Sequence, residues 1–560
     1  MDRSGPPETP ETGGVASGSR PALRVLCVDD EEESPALLRR ALHSLDRPFQ
    51  MERARTYEEA VELLLSRHFC IAFIDLVLDP EHQIDHEDWE GLRLVAAIAD
   101  IGLLGHLSVV IVTQYPRLDH ARWAFLNHHI ADYITKSSYD DLQDKVAGVI
   151  ERNRAYGLDC DVRLMDGLEL PTLLERISRG QLRSLMSRVT PETALEEMDH
   201  LIRQLFEDSH SLEISELTGG KTATAVIRVV RLMEGGQVAS PAFVKIGEVA
   251  KIERERTGYL AVADYLSGMR STRLVGHRRG VYLGVLRYTL IGGGARRLLP
   301  FGQYYLEADT GQVQQTLTGL FRDTCGLFYE RRNREAVDNM DVVAAYRDAL
   351  GLDDAKLERG YEFKFGHLIA DRPTIVHHDL NVELPNAVLA LREGRIQFTA
   401  DSFLCPIHGD MHGDNVVVDP GDGDAWLIDF GSAGKGHWAR DFVLMECYIR
   451  YHLVQSGDLA DLYAFEQSLL ATRSLAIEPD FGGIFDGELR RAGRVIRTVR
   501  ELADTASRDH PNAFVEYQVA LLMTSLLYLQ FHALLNRKWR KWQVMMTTGC
   551  LLEVIWDSRR

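Results

Sequence analysis

Cysteine is scarce and scattered in this sequence, with seven residues among 560 and no C-x-x-C pair. This argues against a zinc site or a disulfide framework and fits a reducing compartment such as the cytoplasm. Basic charge is also low, because 63 Lys and Arg stand against 83 Asp and Glu, which gives a formal net charge of −20. Such an acidic chain is a poor candidate for non-specific nucleic-acid binding, which needs a basic surface. A local basic patch stays open at NRKWRKWQ (Asn536–Gln543), which otherwise predicts a solvated helix face.

Long apolar runs are lacking as well. The most apolar segment, VALLMTSLLYLQFHALL at Val519–Leu535, contains Gln530 and His532 and is short for a membrane span, so it predicts a buried helix. The first twenty residues are rich in Gly, Pro, Ser, Glu and Thr and have no apolar stretch of the kind found in signal peptides. We therefore expect a disordered tail over residues 1–20, a cytoplasmic protein, and no contact with a membrane.

From Leu23 onward, short β-rich runs alternate with segments of helical spacing. The five runs are LRVLCVDD, FQMERA, FCIAFIDL, LSVVIVT and ADYITK, and each is followed by an amphipathic stretch. Alternation of this kind predicts a doubly wound α/β domain with a five-stranded parallel sheet that is covered by helices on both faces.

Polar residues stand at the ends of these predicted strands, where ligands of such sheets bind. Strand one ends in Asp29 and Asp30, strand three in Asp75, strand four in Thr113 and strand five in Lys136. Three neighbouring carboxylates would repel one another unless a hard cation lay between them, and Mg²⁺ accepts such an oxygen set. An aspartate beside Mg²⁺, with a lysine and a hydroxyl nearby, suits the formation of an acyl phosphate.

These residues resemble the receiver domain of bacterial response regulators, over about Leu23 to Asn153. The resemblance implies a flavodoxin-like domain over residues 21–153 and a cognate histidine kinase or phosphotransfer protein as partner. It implies Asp75 as phosphoacceptor and Asp29, Asp30 and Asp75 as Mg²⁺ ligands. It also implies a receiver switch made of Thr113 as the switch hydroxyl, Tyr133 as the switch aromatic and Lys136 as the invariant lysine. Two departures, a long loop after Asp75 and Ser137 in place of proline, bear on switching.

Residues 154–210 predict a helical connector. Thr190, Pro191 and Glu192 form a typical helix start, with a capping residue, a first-turn proline and an early acid. An apolar stripe follows, made of Leu195, Met198, Leu201, Ile202, Leu205 and Phe206. The stripe either packs against the next domain or forms a coupling or dimer helix, so a homodimer stays open. No helix-turn-helix or winged module follows, so the output is expected not to be DNA binding.

A second polar cluster, IHGDMHGDNVVVD at Ile407–Asp419, has the H-x-D-x-x-x-x-N spacing of phosphotransfer catalytic loops. Asp410 is placed to orient an acceptor group and take its proton, and Asn415 to bind Mg²⁺ without adding charge. Asp429 follows fourteen residues later in WLIDFG, after a predicted hairpin that brings it beside Asn415 as a second metal ligand.

Upstream segments supply candidates for binding a nucleotide. Gly219 and Gly220 lie in a turn between β-rich runs, where backbone N–H groups could cover phosphates. Lys245 in AFVKIG is a strand lysine of the kind that grips the α- and β-phosphates of ATP, and it needs a carboxylate partner from the next helix. Glu255 shares the inner face of that helix with Ile252 and Tyr259, whereas Glu253 points elsewhere.

Taken in order, these pieces resemble the aminoglycoside phosphotransferase and choline kinase branch of the kinase-like fold, over about Leu212 to Arg560. They are also similar to the bacterial ternary-complex-associated phosphotransferase-like family. The resemblance implies an α+β bilobal domain over residues 211–560 with a large helical C-terminal lobe, ATP and Mg²⁺ as cofactors, and a small-molecule or protein acceptor of unknown identity. Two functions remain open: a phosphotransferase controlled by the receiver, and a nucleotide-binding pseudokinase that acts as an interaction module.

Overall fold

The computed structural model describes residues 21–45, 47–78, 89–105, 107–136, 139–152, 160–178, 189–216, 224–266, 272–290, 298–357, 371–377, 380–484, 486–530 and 538–557. These residues form two compact units. The first contains the described residues up to Val249 together with Gly276–Arg287, and the second contains Ala250–Val275 and the described residues from Tyr288 onward. The predicted boundaries at residues 153 and 210 thus fall inside the first unit, and they stay predictions.

The first unit begins with a five-stranded parallel sheet. Its strands are β1 (Leu23–Val28), β2 (Phe49–Ala54), β3 (Ile71–Ile74), β4 (Ser108–Thr113) and β5 (Asp132–Thr135), in the order β2-β1-β3-β4-β5. The helices are α1 (Glu33–His43), α2 (Tyr57–Ser66), α3 (Glu90–Asp100), α4 (Leu118–His128) and α5 (Tyr139–Arg152). Central strand β3 is buried along its whole length, and a separate apolar cluster lies on each face of the sheet. The predicted doubly wound α/β fold is confirmed.

A connector and most of a second sheet complete this unit. Strand β6 (Asp161–Leu164) and helix α6 (Leu170–Ser178) precede the connector helix α7 (Pro191–Leu205). The sheet has the order β10-β11-β9-β8-β7-β6. Its further strands are β7 (Ser211–Glu216), β8 (Ala225–Leu232), β9 (Ala242–Glu248), β10 (Thr272–Arg279) and β11 (Leu283–Leu290).

The start of α7 is as predicted. The Thr190 side chain accepts a hydrogen bond from the backbone N–H of Thr193 at 3.3 Å, and Pro191 occupies the first helical position. Met198, Leu201, Ile202 and Leu205 of the apolar stripe lie in one core with residues of the second sheet. The stripe is therefore a packing surface within this unit and is not available as a dimer face.

The second unit begins with helix α8 (Val249–Val262) and is mostly helical. Its other helices are α9 (Phe301–Glu307), α10 (Thr310–Thr318), α11 (Val342–Ala349), α12 (Ala387–Arg392), α13 (Arg440–Tyr448), α14 (Leu459–Leu470), α15 (Gly487–Ala506), α16 (Ala513–Tyr528) and α17 (Lys538–Asp557). Its strands are β12 (Leu299–Pro300), β13 (Glu335–Asp341), β14 (Thr374–His377), β15 (Val382–Pro385), β16 (Thr399–Ile407), β17 (Val416–Val418), β18 (Ala425–Leu427) and β19 (Gly434–His437).

Two small sheets flank the segment between β16 and β17. One has the order β13-β16-β19 and the other β12-β17-β18, so the loop after Ile407 leaves one sheet and enters the other. Helix α16 is buried along most of its length, which confirms the predicted buried helix for residues 519–528. Among the described residues, no helix combines the length and the apolar character that a membrane crossing requires.

Candidate functional site

The carboxyl ends of β1, β3 and β5 bring an acidic cluster and a lysine together. Oxygens of Asp29, Asp30 and Asp75 lie within 4.8 Å of one another. Lys136 Nζ is 2.5 Å from Asp75 Oδ2 and 2.7 Å from Asp29 Oδ2. A cavity of about 140 Å³ opens beside Asp29, Asp75 and Lys136. Since the strands are parallel and the acids follow apolar runs, the sheet itself produces this arrangement.

Burial sets the electrostatics of this cluster. It raises the pKa of Asp75 to about 6, and the nearby Lys136 partly opposes that shift. Burial also raises the pKa of Asp30. Burial disfavours the charged lysine, but Asp75 and Asp29 outweigh it and raise the pKa of Lys136. Neighbouring carboxylates are costly to ionise without a cation between them. The oxygens of this cluster face a cavity, and such a set of oxygen ligands suits a hard divalent cation such as Mg²⁺.

Thr113 and Tyr133, the predicted switch hydroxyl and switch aromatic, lie on neighbouring strands. Thr113 ends β4 and is fully buried, and its carbonyl accepts the backbone N–H of Lys136 at 2.8 Å. The Thr113 hydroxyl accepts a hydrogen bond from the backbone N–H of Tyr115 at 3.2 Å. Tyr133 is half-buried in β5, and its hydroxyl accepts the backbone N–H of Arg117 at 3.4 Å. Both side chains therefore contact the segment between β4 and α4.

Sequence reasoning missed Gly91, which lies in the first turn of α3. A Cβ at this position would lie 2.1 Å from the carbonyl oxygen of Asp75 and 2.6 Å from the Cα of Leu76. Only glycine lets the helix pack directly on the backbone of the candidate phosphoacceptor. The pattern WEGLRLV predicts a helix here but carries no signal for that close approach.

In the second unit, the loop after β16 holds Asp410 and Asn415 in contact. The Asn415 side-chain amide donates to the Asp410 carbonyl at 2.9 Å and lies 3.2 Å from Asp410 Oδ2. His412 Nε2 is 3.6 Å from the same carboxylate. The Asp410 side chain is 45% exposed, so an acceptor could reach it, whereas Asn415 is buried.

The predicted hairpin between Asn415 and Asp429 is confirmed. Strands β17 and β18 pair antiparallel, and the backbone N–H of Ile428 donates to the Asn415 carbonyl at 3.0 Å. Asp429 therefore follows the strand that pairs beside Asn415. Its φ of +66° is unusual for a residue with a side chain, and such backbone strain concentrates at functional sites. Together, Asn415 and Asp429 offer oxygen ligands that suit Mg²⁺.

Asp441 in α13 is a second residue that the sequence analysis missed. It is fully buried, and its two carboxylate oxygens accept the backbone N–H groups of His408 and Gly409 at 2.8 Å each. Burial raises the pKa of Asp441 and lowers the pKa of His408. The acid in RDFVLMECY looks like an ordinary first-turn helix acid, so its role in holding the loop has no local sequence signal.

The nucleotide-binding candidates are divided between the two units. Lys245 lies in β9 of the first unit and is buried, with Val226 opposite it in β8. Glu255 lies on the buried face of α8 in the second unit, as predicted, and accepts a hydrogen bond from the Tyr288 hydroxyl at 2.9 Å. Gly219 and Gly220 lie outside the described residues. The proposed Lys245–Glu255 pair stays a prediction.

Helix α8 also packs tightly against the segment that follows Asp429. A Cβ at Gly258 would lie 2.0 Å from the carbonyl oxygen of Phe430, and the rings of Tyr259 and Phe430 meet edge to face at 5.2 Å. The rings of His408 and Phe430 also meet edge to face, with centroids 5.2 Å apart. Phe430 thus connects the helix that carries Glu255 to the loop that carries Asp410.

Family comparisons agree with this geometry in the second unit. Residues 288–448 match the phosphotransferase enzyme family. This range contains Asp410, Asn415, Asp429 and Asp441. Residues 373–527 match ternary complex associated domain 9. The C-terminal part of the chain therefore carries a kinase-like phosphotransferase domain with a large helical portion.

The N-terminal sheet has counterparts among solved structures. A signal receiver domain of an HD domain-containing protein from Pseudomonas fluorescens is 23% identical, covers 24% of this chain and 98% of its own, and has a TM-score of 0.20. A response regulator receiver domain protein from Methanospirillum hungatei is 22% identical, with 24% and 98% coverage and a TM-score of 0.20. A response regulator from Thermotoga maritima is 22% identical, with 23% and 98% coverage and a TM-score of 0.20.

No curated protein sequence matches this chain. The strand order and the parallel pairing give the N-terminal part a flavodoxin-like doubly wound fold. The chain is thus a multidomain protein in which this fold precedes a kinase-like domain.

Proposed function

We propose that this protein is a two-component signalling protein whose receiver, phosphorylated on Asp75, controls an ATP-dependent phosphotransferase. The observation that carries the proposal is that one chain holds two clusters of the residue types that phosphoryl transfer uses. One is the cluster of Asp75 with Lys136, and the other is the loop that holds Asp410 against Asn415. The complete set of Lys245, Asp410, Asn415 and Asp429 supports an enzymatic output, because a degenerate site usually lacks one of these residues.

In the receiver, a carboxylate oxygen of Asp75 attacks the phosphorus of a phosphohistidine on a histidine kinase or phosphotransfer protein. The P–N bond breaks and an acyl phosphate forms. Asp29, Asp30 and Asp75 would hold Mg²⁺, which neutralises charge on the phosphoryl group in transit. Lys136, already 2.5 Å from Asp75 Oδ2, then pairs with the new phosphoryl oxygens, while Thr113 and Tyr133 respond as the switch.

In the kinase-like domain, Asp410 orients an acceptor hydroxyl or amine and takes its proton as the γ-phosphoryl group of ATP is transferred. Asn415 and Asp429 would hold Mg²⁺, which would supply positive charge to neutralise the phosphates. Lys245 grips the α- and β-phosphates, Glu255 orients that lysine, and the backbone at Gly219 and Gly220 covers the phosphates. The acceptor is a small molecule or a protein side chain that binds the helical region after Arg440.

The second candidate is a nucleotide-binding pseudokinase that passes the receiver state to a protein partner. One observation favours it: the phosphotransferase family match begins at residue 288, after Lys245 and Glu255. Lys245 and Glu255, which are proposed to bind the phosphates, therefore lie outside the residues that match the phosphotransferase family. Under both candidates we propose that the protein is cytoplasmic and has no nucleic-acid or membrane partner. A homodimer would form through surfaces other than the apolar stripe of α7.

The deciding measurement for the effector is ADP release from Mg·ATP by the full chain, with and without a panel of alcohols, amines and proteins. The enzyme hypothesis expects turnover with at least one acceptor. Asp410→Ala should then reduce kcat on the order of 10³-fold, because several kcal/mol of transition-state stabilisation are lost. Nucleotide affinity should persist in that variant. Nucleotide binding without turnover for any acceptor would favour the pseudokinase.

The receiver half is tested separately with Mg²⁺ and a small phosphodonor. The parent chain should acquire a base-labile phosphoryl group, and Asp75→Asn should not. Asp132→Asn is a matched control, because Asp132 lies in the same sheet at the start of β5, away from the cluster. Equal labelling of the parent and the Asp75→Asn variant would refute the assignment.

A further inference from the structure

A buried cluster of His68, Cys70 and His200 lies where the receiver fold meets the connector helix. His68 and Cys70 belong to the chain that leads from α2 into β3, and His200 belongs to α7. Their ligand atoms, two imidazole nitrogens and one sulfur, all lie within 4.8 Å of one another. The exposed fractions are 2% for both histidines and 0% for the cysteine, so the cluster is closed to bulk solvent.

The side chains face one another directly. Cys70 Sγ lies 3.8 Å from His200 Nδ1, and the ring centroids of His68 and His200 are 5.1 Å apart. Neutral imidazole is the form in which histidine binds metals. Three nitrogen and sulfur donors of this kind, converging in a buried place, form a ligand set that soft divalent metals prefer.

Charges around the cluster are compatible with a cation. Glu197 lies three residues before His200 on the same helix, and its Oε1 is 3.9 Å from His68 Nδ1. Three arginines, Arg24, Arg47 and Arg203, act electrostatically on the cluster. Arg24 lies 3.5 Å from Glu196 and Arg203 lies 2.8 Å from Asp199, both acids of α7. The positive charge of these two arginines is therefore compensated locally, and Glu197 adds a carboxylate beside the cluster.

We propose that His68, Cys70 and His200 bind Zn²⁺ and that the ion fixes the connector helix to the receiver. On binding, the Cys70 thiol releases its proton to solvent, and the thiolate sulfur and one nitrogen of each histidine form bonds to the metal. The ligands come from two elements that are 130 residues apart, which explains why cysteine spacing in the sequence indicated no zinc site. The oxygen cluster at Asp29, Asp30 and Asp75 is a separate, hard-cation site.

The structural consequence follows from the neighbours of Glu197. Its carboxylate accepts the backbone N–H groups of Tyr282 and Leu283 at 3.2 and 3.3 Å, at the start of β11 in the second sheet of this unit. Helix α7 thus contacts the receiver through His200 and the second sheet through Glu197. A metal on His200 would hold this helix in a fixed position between them.

The test uses the full chain, purified without affinity histidines or chelators, and measures its metals by mass spectrometry. We expect about one zinc ion per chain, and a Co²⁺-substituted protein should show a thiolate-to-cobalt charge-transfer band. Cys70→Ser and His200→Ala should each lose the stoichiometric zinc, and Cys70→Ser should lose the cobalt band. Cys160→Ser is the matched control, because Cys160 is also buried in this unit but lies outside the cluster, and it should keep both signals.

The parent protein decides the question even where a variant fails to fold. Absence of zinc from the parent after incubation with Zn²⁺ and dialysis, together with no thiolate–cobalt band, would overturn the proposal. Zinc that is retained equally by the parent, Cys70→Ser and His200→Ala would also overturn it, because the metal would then lie elsewhere. In the parent, removal of zinc by a chelator should lower the thermal midpoint, since a ligand bound only to the folded state stabilises it.

Discussion

The carboxylate of Asp441 accepts the backbone N–H of His408 at 2.8 Å, and so a buried helix residue holds the start of the loop that carries Asp410. The other oxygen accepts the N–H of Gly409 at the same distance. Gly409 has a φ of +77°, and a Cβ there would lie 2.2 Å from the carbonyl oxygen of Ser432. The position of Asp410 is therefore set by backbone contacts on both sides of this glycine.

Asp441→Asn should loosen this loop. An amide can accept only one of the two N–H bonds, and its own N–H group would face the other donor, so we expect a loss of about 1–3 kcal/mol. Amide hydrogen exchange at His408 and Gly409 should become faster, and kcat should fall more than nucleotide affinity. Asp323→Asn, a surface acid paired with Arg322, is the control and should change neither. Unaltered exchange at both amides in Asp441→Asn would contradict a positioning role.

Gly91→Ala should damage the receiver specifically. The added methyl group would meet the Asp75 backbone at 2.1 Å, which is too close for any adjustment of a side chain to relieve. We expect a destabilisation of about 1–3 kcal/mol and slower phosphorylation of Asp75. Thermal unfolding and labelling by a small phosphodonor measure the two effects.

Gly487→Ala is the matched control for that experiment. Gly487 also lies at the start of a helix, but nothing lies within 4 Å of a Cβ placed there. This substitution should leave the stability unchanged or raise it by up to about 1 kcal/mol, because alanine restricts the unfolded chain. If Gly91→Ala and Gly487→Ala changed the stability equally, the close approach of α3 to Asp75 would not contribute to the stability of the fold.

A buried ionic network predicts the acid sensitivity of the helical region. Glu446 lies 2.6 Å from Arg450 and 2.9 Å from Arg500, and all three side chains are almost fully buried. Burial alone would raise the pKa of Glu446, but the two arginines outweigh it and lower the pKa from 4.5 to about 2. This carboxylate therefore stabilises the fold above pH 4.5, and that contribution is lost as the pH falls from about 4.5 towards 2.

Glu446→Gln should remove this contribution at every pH. It leaves two arginines in a buried site without their shared carboxylate, so we expect a loss of about 3–5 kcal/mol at pH 7. Chemical unfolding between pH 3 and 7 should show a shallower pH dependence for the variant than for the parent. Glu478→Gln, which alters a carboxylate that is 64% exposed, should reproduce the parent curve. A steep parent-like curve in Glu446→Gln would exclude Glu446 as the titrating group.

The sequence predicts the position of a candidate site residue where that position follows from a local strand, loop or turn. Asp75 and Lys136 each follow a short apolar strand, and a parallel sheet brings such positions together. Asp410, Asn415 and Asp429 keep the spacing that a loop and a hairpin impose. The roles of these residues in chemistry remain predictions, but the backbone that assembles them follows from strand and turn signals alone.

Residues whose importance comes from long-range packing could not be found in this way. Asp441 acts on a loop 33 positions earlier, and Gly91 matters because a helix touches the backbone of Asp75. Glu197 and His200 are polar residues on the helix whose apolar stripe was predicted, and nothing in the local pattern indicates that they are buried. In the structure they are buried on another face of the same helix. No local periodicity distinguishes an exposed polar face from one that is covered by another part of the fold.

We expect the state of Asp75, the proposed phosphoacceptor, to affect nucleotide binding through helix α7. Helix α7 contacts the receiver through His200 and Cys70, and it contacts the turn before β11 through Glu197. Lys245 lies in the sheet on which α7 packs. An acyl-phosphate mimic such as beryllofluoride at Asp75 should therefore change nucleotide affinity or oligomeric state, provided that the two receiver states differ in their contacts with α7.

A coupling of about 1–3 kcal/mol, or roughly 5–150-fold in affinity, is typical of such linkage. Nucleotide titration and light scattering with and without beryllofluoride measure it, and Asp75→Asn with beryllofluoride controls for effects of the reagent. Glu197→Gln should reduce the coupling without abolishing phosphorylation of Asp75, because it weakens the charge-assisted contact of α7 with Tyr282 and Leu283 and leaves the acidic cluster intact. Identical titration and scattering curves with and without the mimic would mean that the receiver and the kinase-like domain act independently, each through a partner of its own.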